Sequence, residues 1–318
     1  MTAMTLRIGT RASALALWQA RHVEGLIGAL PGSPGVELVP IMTSGDLQTE
    51  VPLWAVRGRA FFTKELDRAL LEERIDVAVH SLKDLPTELE PGIELVAVLP
   101  REEPRDALVS RDEMPLARLP SGARVGTSSL RRRAFLARAR PDLELHELRG
   151  NVPTRLQRLD RGDYNAIVLA AAGLKRLGLE ARITERLPIE DFPPAVSQGA
   201  IGVCARARDE RTANWIARLD DPSTRLATTA ERALLQRIEG GCQVPLGALA
   251  ALSGSRVRLH ASVCALDGSR HLSADDEADA TVADARALGE RVAQRLLAQG
   301  AAALIAEQRA APGTPAPC

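Results

Sequence analysis

Along the first two thirds of this chain one pattern recurs. A short apolar run leads into a turn carrying Ser, Thr or Asn beside Arg or Lys, and a stretch of helical period follows. Leu6-Arg7-Ile8-Gly9 enters Thr10-Arg11-Ala12-Ser13, after which Val23, Leu26, Ile27 and Leu30 fall on one helical stripe. Ile75-Asp76-Val77-Ala78-Val79 enters His80-Ser81-Leu82-Lys83-Asp84, and Arg124-Val125-Gly126 enters Thr127-Ser128-Ser129-Leu130-Arg131-Arg132-Arg133. Leu143 to Leu148 enters Arg149-Gly150-Asn151 and a helix holding Arg155. Ala166-Ile167-Val168-Leu169 enters a helix ending in Lys175-Arg176. Strands that alternate with helices predict mainly parallel sheets with helices on both faces.

Two Pro-rich crossings, residues 99–104 and 187–194, interrupt the pattern and predict a pair of hinges between two α/β lobes. The expected first lobe is 1–99 with 200–217, and the second is 105–193. After Asp220-Asp221-Pro222, a helix is expected from Thr229 to Glu239. Strands follow at Leu246–Leu252 and Arg256–Ala265, then a hairpin turn at Asp267-Gly268 and a helix with Leu288, Val292 and Leu296 on one face. This makes 222–309 a small α+β domain. Residues 310–318, rich in Ala and Pro, are expected to be a disordered tail.

Composition narrows the function. Basic and acidic residues balance at 41 each and aromatics are 3%, which argues against a nucleic-acid surface. Anion recognition must therefore be local. Cys204, Cys242, Cys264 and Cys318 lack metal-ligand or redox spacing, so no metal is expected. No secretory signal and no apolar run of membrane-spanning length is read, which predicts a cytoplasmic protein off the membrane.

The candidate chemistry lies at the strand ends. In parallel α/β sheets ligands bind beyond the carboxyl ends of the strands, where helix N-termini offer free N–H groups to anions. Five turns rich in hydroxyl and guanidinium groups fall there. A further stretch, Glu239-Gly240-Gly241-Cys242-Gln243-Val244-Pro245, sets one cysteine on a stiff turn past a helix end, which suits a covalent attachment point.

These motifs resemble the porphobilinogen deaminase (hydroxymethylbilane synthase) family from about Leu6 to Ala306. They are Arg7 to Ser13, Val79 to Pro86, Val125 to Arg132, Leu148 to Val152, Gly173 to Gly178 and Gly240 to Pro245. The resemblance implies two periplasmic-binding-protein-like lobes joined by hinge crossovers, plus the α+β domain. It implies head-to-tail condensation of four porphobilinogen molecules with loss of ammonia, then hydrolytic release of hydroxymethylbilane. It also implies a dipyrromethane cofactor held as a thioether on Cys242.

The residues fit that chemistry. Every pyrrole unit brings two carboxylates, and arginine grips a carboxylate bidentately. Arg11, Arg131, Arg132, Arg149, Arg155 and Arg176 are the expected carboxylate binders, helped by Lys83, Ser13, Ser81, Thr127, Ser128, Ser129 and Gly150, with Gln198 as a further contact. Asp84 is the expected catalytic residue, a carboxylate that stabilises the cation formed as ammonia leaves. His80 reads as a packed histidine, and Arg133, Arg138 and Arg140 as a solvated helix face. Two departures stand out. Gly58-Arg59-Ala60-Phe61-Phe62 replaces a Gly-Lys-Gly-Leu-Phe-like run, leaving Arg59 and Phe62 as possible lid contacts, and Ser197 replaces a commonly seen glycine. A monomer is expected, with porphobilinogen as the small-molecule partner. The rival reading is a two-lobed carboxylate-solute-binding or effector-sensing module, which requires neither Asp84 nor Cys242.

Overall fold

The computed structural model describes residues 5–43, 63–238 and 244–310, with side chains to 307. Among these, contacts divide the chain into two compact units: residues 5–43, 63–102 and 199–225 in the first, and 103–198, 226–238 and 244–310 in the second. Strands β1 (Thr5–Arg11), β2 (Gly35–Ile41), β3 (Val77–Ser81) and β4 (Ile93–Val98) belong to the first unit. Strands β5 (Asp106–Ser110), β6 (Arg124–Gly126), β7 (Glu144–His146), β8 (Ala166–Ala170) and β9 (Glu185–Arg186) belong to the second. The chain returns to the first unit as β10 (Ile201–Arg206) and ends in the second with β11 (Leu246–Ser253), β12 (Arg256–Cys264) and β13 (His271–Asp279).

The first sheet runs β2-β1-β3-β10-β4 and the second β7-β6-β8-β5-β9. Each has a parallel trio, with β1 beside β2 and β3, and β6 beside β7 and β8. Each also takes in a reversed strand. β10 lies antiparallel to both β3 and β4, and β5 antiparallel to both β8 and β9. The sheets are therefore mainly parallel, as expected, with one reversed strand in each. The reversed strands hide in the sequence because both are near-continuous apolar runs, the pattern of any strand buried on both faces. Ile201, Val203, Cys204 and Ala205 are each at most 2% exposed.

The helix Ala14–Gly28 shows how the first core closes. Its buried positions Ala16, Gln19, Ala20, Val23 and Ile27 recur at helical spacing, and Ala20, Val23 and Ile27 meet Leu6 and Ile8 of β1 and Val77 and Val79 of β3. In the second unit, Phe135 and Leu136 pack with Leu108, Val125 and Val168 of the sheet.

The last part of the second unit is an antiparallel meander, β11-β12-β13, with the helix Val282–Ala298 on one face. Val257, Leu259, Ala261 and Val263 pack there against Leu288, Val292 and Leu296. From the other side of β12, Cys264 joins the core around Phe135, its thiol donating to the Ala134 carbonyl at 3.6 Å. Gly268 ends the β12–β13 hairpin with φ +76°, and a Cβ there would lie 2.4 Å from the Arg138 backbone nitrogen. The preceding helix begins earlier than expected, spanning Pro222–Arg237. The Asp-Pro pair is its start rather than a break: Asp221 accepts the Thr224 N–H at 2.7 Å, and Pro222 takes the first helical position, where no N–H is needed.

Candidate active site

A cluster of polar side chains stands at the strand ends of each unit. In the first unit, β1 and β3 are parallel neighbours, so Arg11 and Ser81 end on the same edge. Ser13 caps the helix Ala14–Gly28, accepting the Ala16 N–H at 3.3 Å, which points the positive end of that helix at the same edge. Beyond Ser81 the chain tightens into the 3-10 turn Leu82–Asp84, which buries Leu82 and leaves Lys83 and Asp84 half-buried. Arg11, Ser13, Gln19, His80, Ser81 and Asp84 line a single pocket. A carboxylate and a guanidinium thus face one space, together with hydroxyl donors.

Gln19 is the member that the sequence reading missed. It is 1% exposed, and its Nε2 donates to Ser81 Oγ at 2.8 Å while the Ser81 hydroxyl lies 3.2 Å from Gln19 Oε1. The signal was an amide inside an otherwise apolar stripe, where an unbonded polar group would be costly. His80 is buried with no hydrogen bond at Nε2. Burial, and secondarily the Arg11 charge, push its imidazole down to about 4. It is neutral at pH 7 and has no proton to spare for a leaving amine there.

In the second unit, three strand ends converge. Ser129 caps the helix Leu130–Ala139, accepting the Arg132 N–H at 3.4 Å, and Thr127 Oγ1 accepts the Ser129 N–H at 3.2 Å. Ser128 donates its hydroxyl proton to the Leu148 carbonyl, so that proton braces the neighbouring turn. There Gly150 adopts φ +108°, a conformation open to glycine. Its carbonyl accepts Arg155 Nε at 2.7 Å, and Asn151 caps the helix Val152–Asp160 through the Thr154 N–H at 3.0 Å. Burial lowers the Arg149 guanidinium on this turn, with Glu147 opposing. Arg176 is buried at the far end of the helix Ala171–Arg176.

Arg131 and Arg132 are 4% and 6% exposed, and both are bonded to a residue that sequence reading did not single out, Asp106. Gln198 joins them, its Nε2 donating to Asp106 Oδ1 at 2.9 Å and to the Pro104 carbonyl at 2.7 Å. Burial alone would raise the Asp106 carboxyl, but the two arginines outweigh it and hold the group well below the usual range. Asp106 escaped notice because candidates were sought on turns that follow strands. It opens β5, which runs antiparallel, so the start of that strand pairs with Ala170 at the end of β8. Arg140 also differs from a plain solvated residue: it bonds Asp142 and the carbonyls of Leu116 and Leu119. Arg59, Phe62 and Cys242 lie outside the described residues.

A second chain of reactive groups runs across β12 and β13. Ser262 Oγ lies 3.2 Å from His260 Nε2, and His260 Nδ1 lies 2.9 Å from Asp275 Oδ1. The order suits a serine nucleophile, but Ser262 is 0% exposed. The arrangement satisfies a buried hydroxyl and gives no substrate access to it. Among the described residues, no group of His, Cys, Asp and Glu is arranged to hold a metal ion, and no helix is long and apolar enough to cross a membrane.

Comparison with known proteins adds two family models. One, described as porphobilinogen deaminase, dipyromethane cofactor binding domain, matches residues 6–214. The other, described as porphobilinogen deaminase, C-terminal domain, matches residues 225–298. Among solved structures, the methionine binding protein MetQ is 14% identical, with 74% of this chain and 96% of that one covered and a TM-score of 0.45. A nutrient binding protein from Burkholderia cenocepacia bound to methionine is 14% identical over 66% of this chain and 89% of its own, TM-score 0.43. The periplasmic aliphatic sulphonate binding protein SsuA from Escherichia coli is 16% identical over 74% and 70%, TM-score 0.39. Similarity at this level concerns the fold alone.

Proposed function

The chain belongs to the porphobilinogen deaminase family, and from that premise we propose how its own residues carry the reaction. The activity is condensation of porphobilinogen on a dipyrromethane cofactor with loss of ammonia, a step of tetrapyrrole biosynthesis. The observation that carries the assignment of roles is the pocket of the first unit, which Asp84 lines together with Arg11 and Ser13.

The donor set fits a polycarboxylate such as dipyrromethane. Two buried guanidiniums share one carboxylate in the second unit, and Arg131 Nε is buried with no acceptor. Arg131, Arg132, Arg149 and Arg155, with Thr127, Ser129 and Gly150, hold carboxylates of the cofactor and of the growing product, and Cys242 is its thioether anchor. Arg176 and Gln198 support that set, and Ser128 shapes the Leu148–Gly150 turn. When bound, the cofactor supplies the electron-rich pyrrole carbon that forms the new bond.

Arg11, Ser13, Ser81 and Lys83 orient the incoming porphobilinogen through its acetate and propionate. Its aminomethyl C–N bond then breaks, the electron pair leaving with nitrogen, which takes up a proton and departs as ammonia. Positive charge develops toward the pyrrole N–H, and the Asp84 carboxylate stabilises it as it forms, which is stabilisation specific to the transition state. The same carboxylate accepts the proton lost from the attacked ring carbon. The finer reading is a hydroxymethylbilane synthase, a transferase that works as a monomer in the cytoplasm.

The test is Asp84→Asn, which keeps the shape and removes the charge. Purified variant should carry the cofactor by intact mass and lose activity by about a thousandfold, the scale of removing one transition-state stabiliser. Turnover within tenfold of the parent would remove Asp84 from this role.

A further inference from the structure

Two arginines and one carboxylate make an unbalanced cluster inside the second unit. Asp106 is 0% exposed. Its Oδ1 accepts Arg132 Nε at 3.0 Å, Arg132 Nη2 at 2.8 Å and Gln198 Nε2 at 2.9 Å. Its Oδ2 lies 2.8 Å from Arg131 Nη2. The remaining arms are also fixed, Arg131 Nη1 donating to the Pro193 carbonyl at 2.7 Å and Arg132 Nη1 to the Val168 carbonyl at 3.0 Å. Among the described residues, the charges that act on Arg131 are those of Asp106 and Arg132. Two positive charges against one negative leave the cluster with one excess positive charge in a region shielded from water. An unbalanced buried charge is unfavourable until an anion joins it.

We propose that Asp106 is a positioning residue for ligand binding: it holds the Arg131 and Arg132 forks in fixed planes and cancels one of their charges, leaving a seat for one further carboxylate. The inference rests on the reading of these arginines as carboxylate binders. Arg131 Nε marks the seat, being buried with no hydrogen-bond acceptor among the described residues. Without Asp106 the two guanidiniums repel each other, and the incoming acid meets a pair that has lost its fixed geometry. The seat takes a carboxylate of the acidic pyrrole ligand, and Asp106 never touches the reacting atoms.

The experiment compares Asp106→Asn and Asp106→Glu with the parent, reading cofactor occupancy by intact mass and the fold by near-ultraviolet circular dichroism. Asp106→Asn, which removes the charge, should fold and lose about tenfold in occupancy, equivalent to one good charge-assisted contact. Asp106→Glu keeps the charge but moves it by one methylene, and should lose about threefold. A structural role alone would lower the unfolding midpoint and leave the occupancy of the folded fraction unchanged. Folded Asp106→Asn with parental occupancy overturns the proposal. If Asp106→Asn does not fold, Asp106→Glu decides: a threefold loss supports it and parental occupancy overturns it. A parent chain without cofactor mass would instead overturn the underlying reading of the site.

Discussion

Replacing Ser197 by glycine should stabilise the second unit, and the structure gives the magnitude. Ser197 is 0% exposed and adopts φ +63°, the left-handed region that disfavours a side chain. That conformation costs about 1–2 kcal/mol for a non-glycine residue. Its Oγ is buried with no hydrogen-bond partner, a further cost of about 1–3 kcal/mol. The bonds at this position belong to the backbone: the Ser197 N–H donates to Glu231 Oε2 at 2.7 Å, and Glu231 Oε1 accepts the Ala250 N–H at 2.8 Å. Glycine keeps both. Against these gains stands the greater freedom of glycine in the unfolded chain, about 0.5–1 kcal/mol. The net gain is about 1–4 kcal/mol, which at roughly 2 °C per kcal/mol for a protein of this size raises the unfolding midpoint by roughly 2–8 °C. Calorimetry of the cofactor-loaded protein is the assay. Ser197→Ala separates the two terms, since it removes the hydroxyl but keeps the strained φ, and should give about half the gain. An unchanged or lower midpoint for Ser197→Gly would refute the reasoning. The strained residue directly precedes Gln198, whose amide bonds Asp106, so the strain sits one residue from the cluster that binds the two arginines.

The pH dependence of the first unit should show two opposed groups. His80 is pushed down to about 4 chiefly by burial, so between about pH 4 and 6.5 the unfolded chain carries its proton and the folded chain does not, and stability falls with acid by about 3 kcal/mol. Asp67 is pushed up to about 6, again chiefly by burial, so the folded chain holds a proton the unfolded one has released. Its contribution is lost as pH rises from about 4 to 6, by roughly half as much after solvent screening. Asp67→Asn should therefore make stability fall more steeply toward pH 4 than in the parent, and His80→Gln should reverse the slope; parallel urea-unfolding curves against pH for all three would count against both assignments. Asn151→Ala removes the cap that accepts the Thr154 N–H and should cost about 1 kcal/mol, read as a drop in the urea midpoint, with no change meaning that the cap does not hold this helix.

The sequence carried the strand–turn–helix units because their apolar periods and caps are local. Ser13, Ser129 and Asn151 each cap a helix with a side chain that precedes it directly. What remained hidden was non-local. The antiparallel direction of β5 and β10 depends on which strands flank them, and no residue within either run encodes it. Asp106 was hidden for that reason, since a reversed strand brings its first residue to the edge where the parallel strands end. β13 also carries a weak strand signal: among His271–Asp279 only Ala274 and Ala278 are buried, Leu272 packs on the same core half-buried, and the other positions are polar. Ser197 was visible as a departure from a usual glycine, and its positive φ supplies the reason glycine suits that position.

The most direct test concerns the sulfur of Cys242. Intact mass of freshly purified, active protein should exceed the sequence mass by one dipyrromethane, the excess should map to the peptide holding Cys242, and Cys242→Ser should lack both it and turnover. Active protein whose Cys242 is unmodified and freely alkylated would contradict the account.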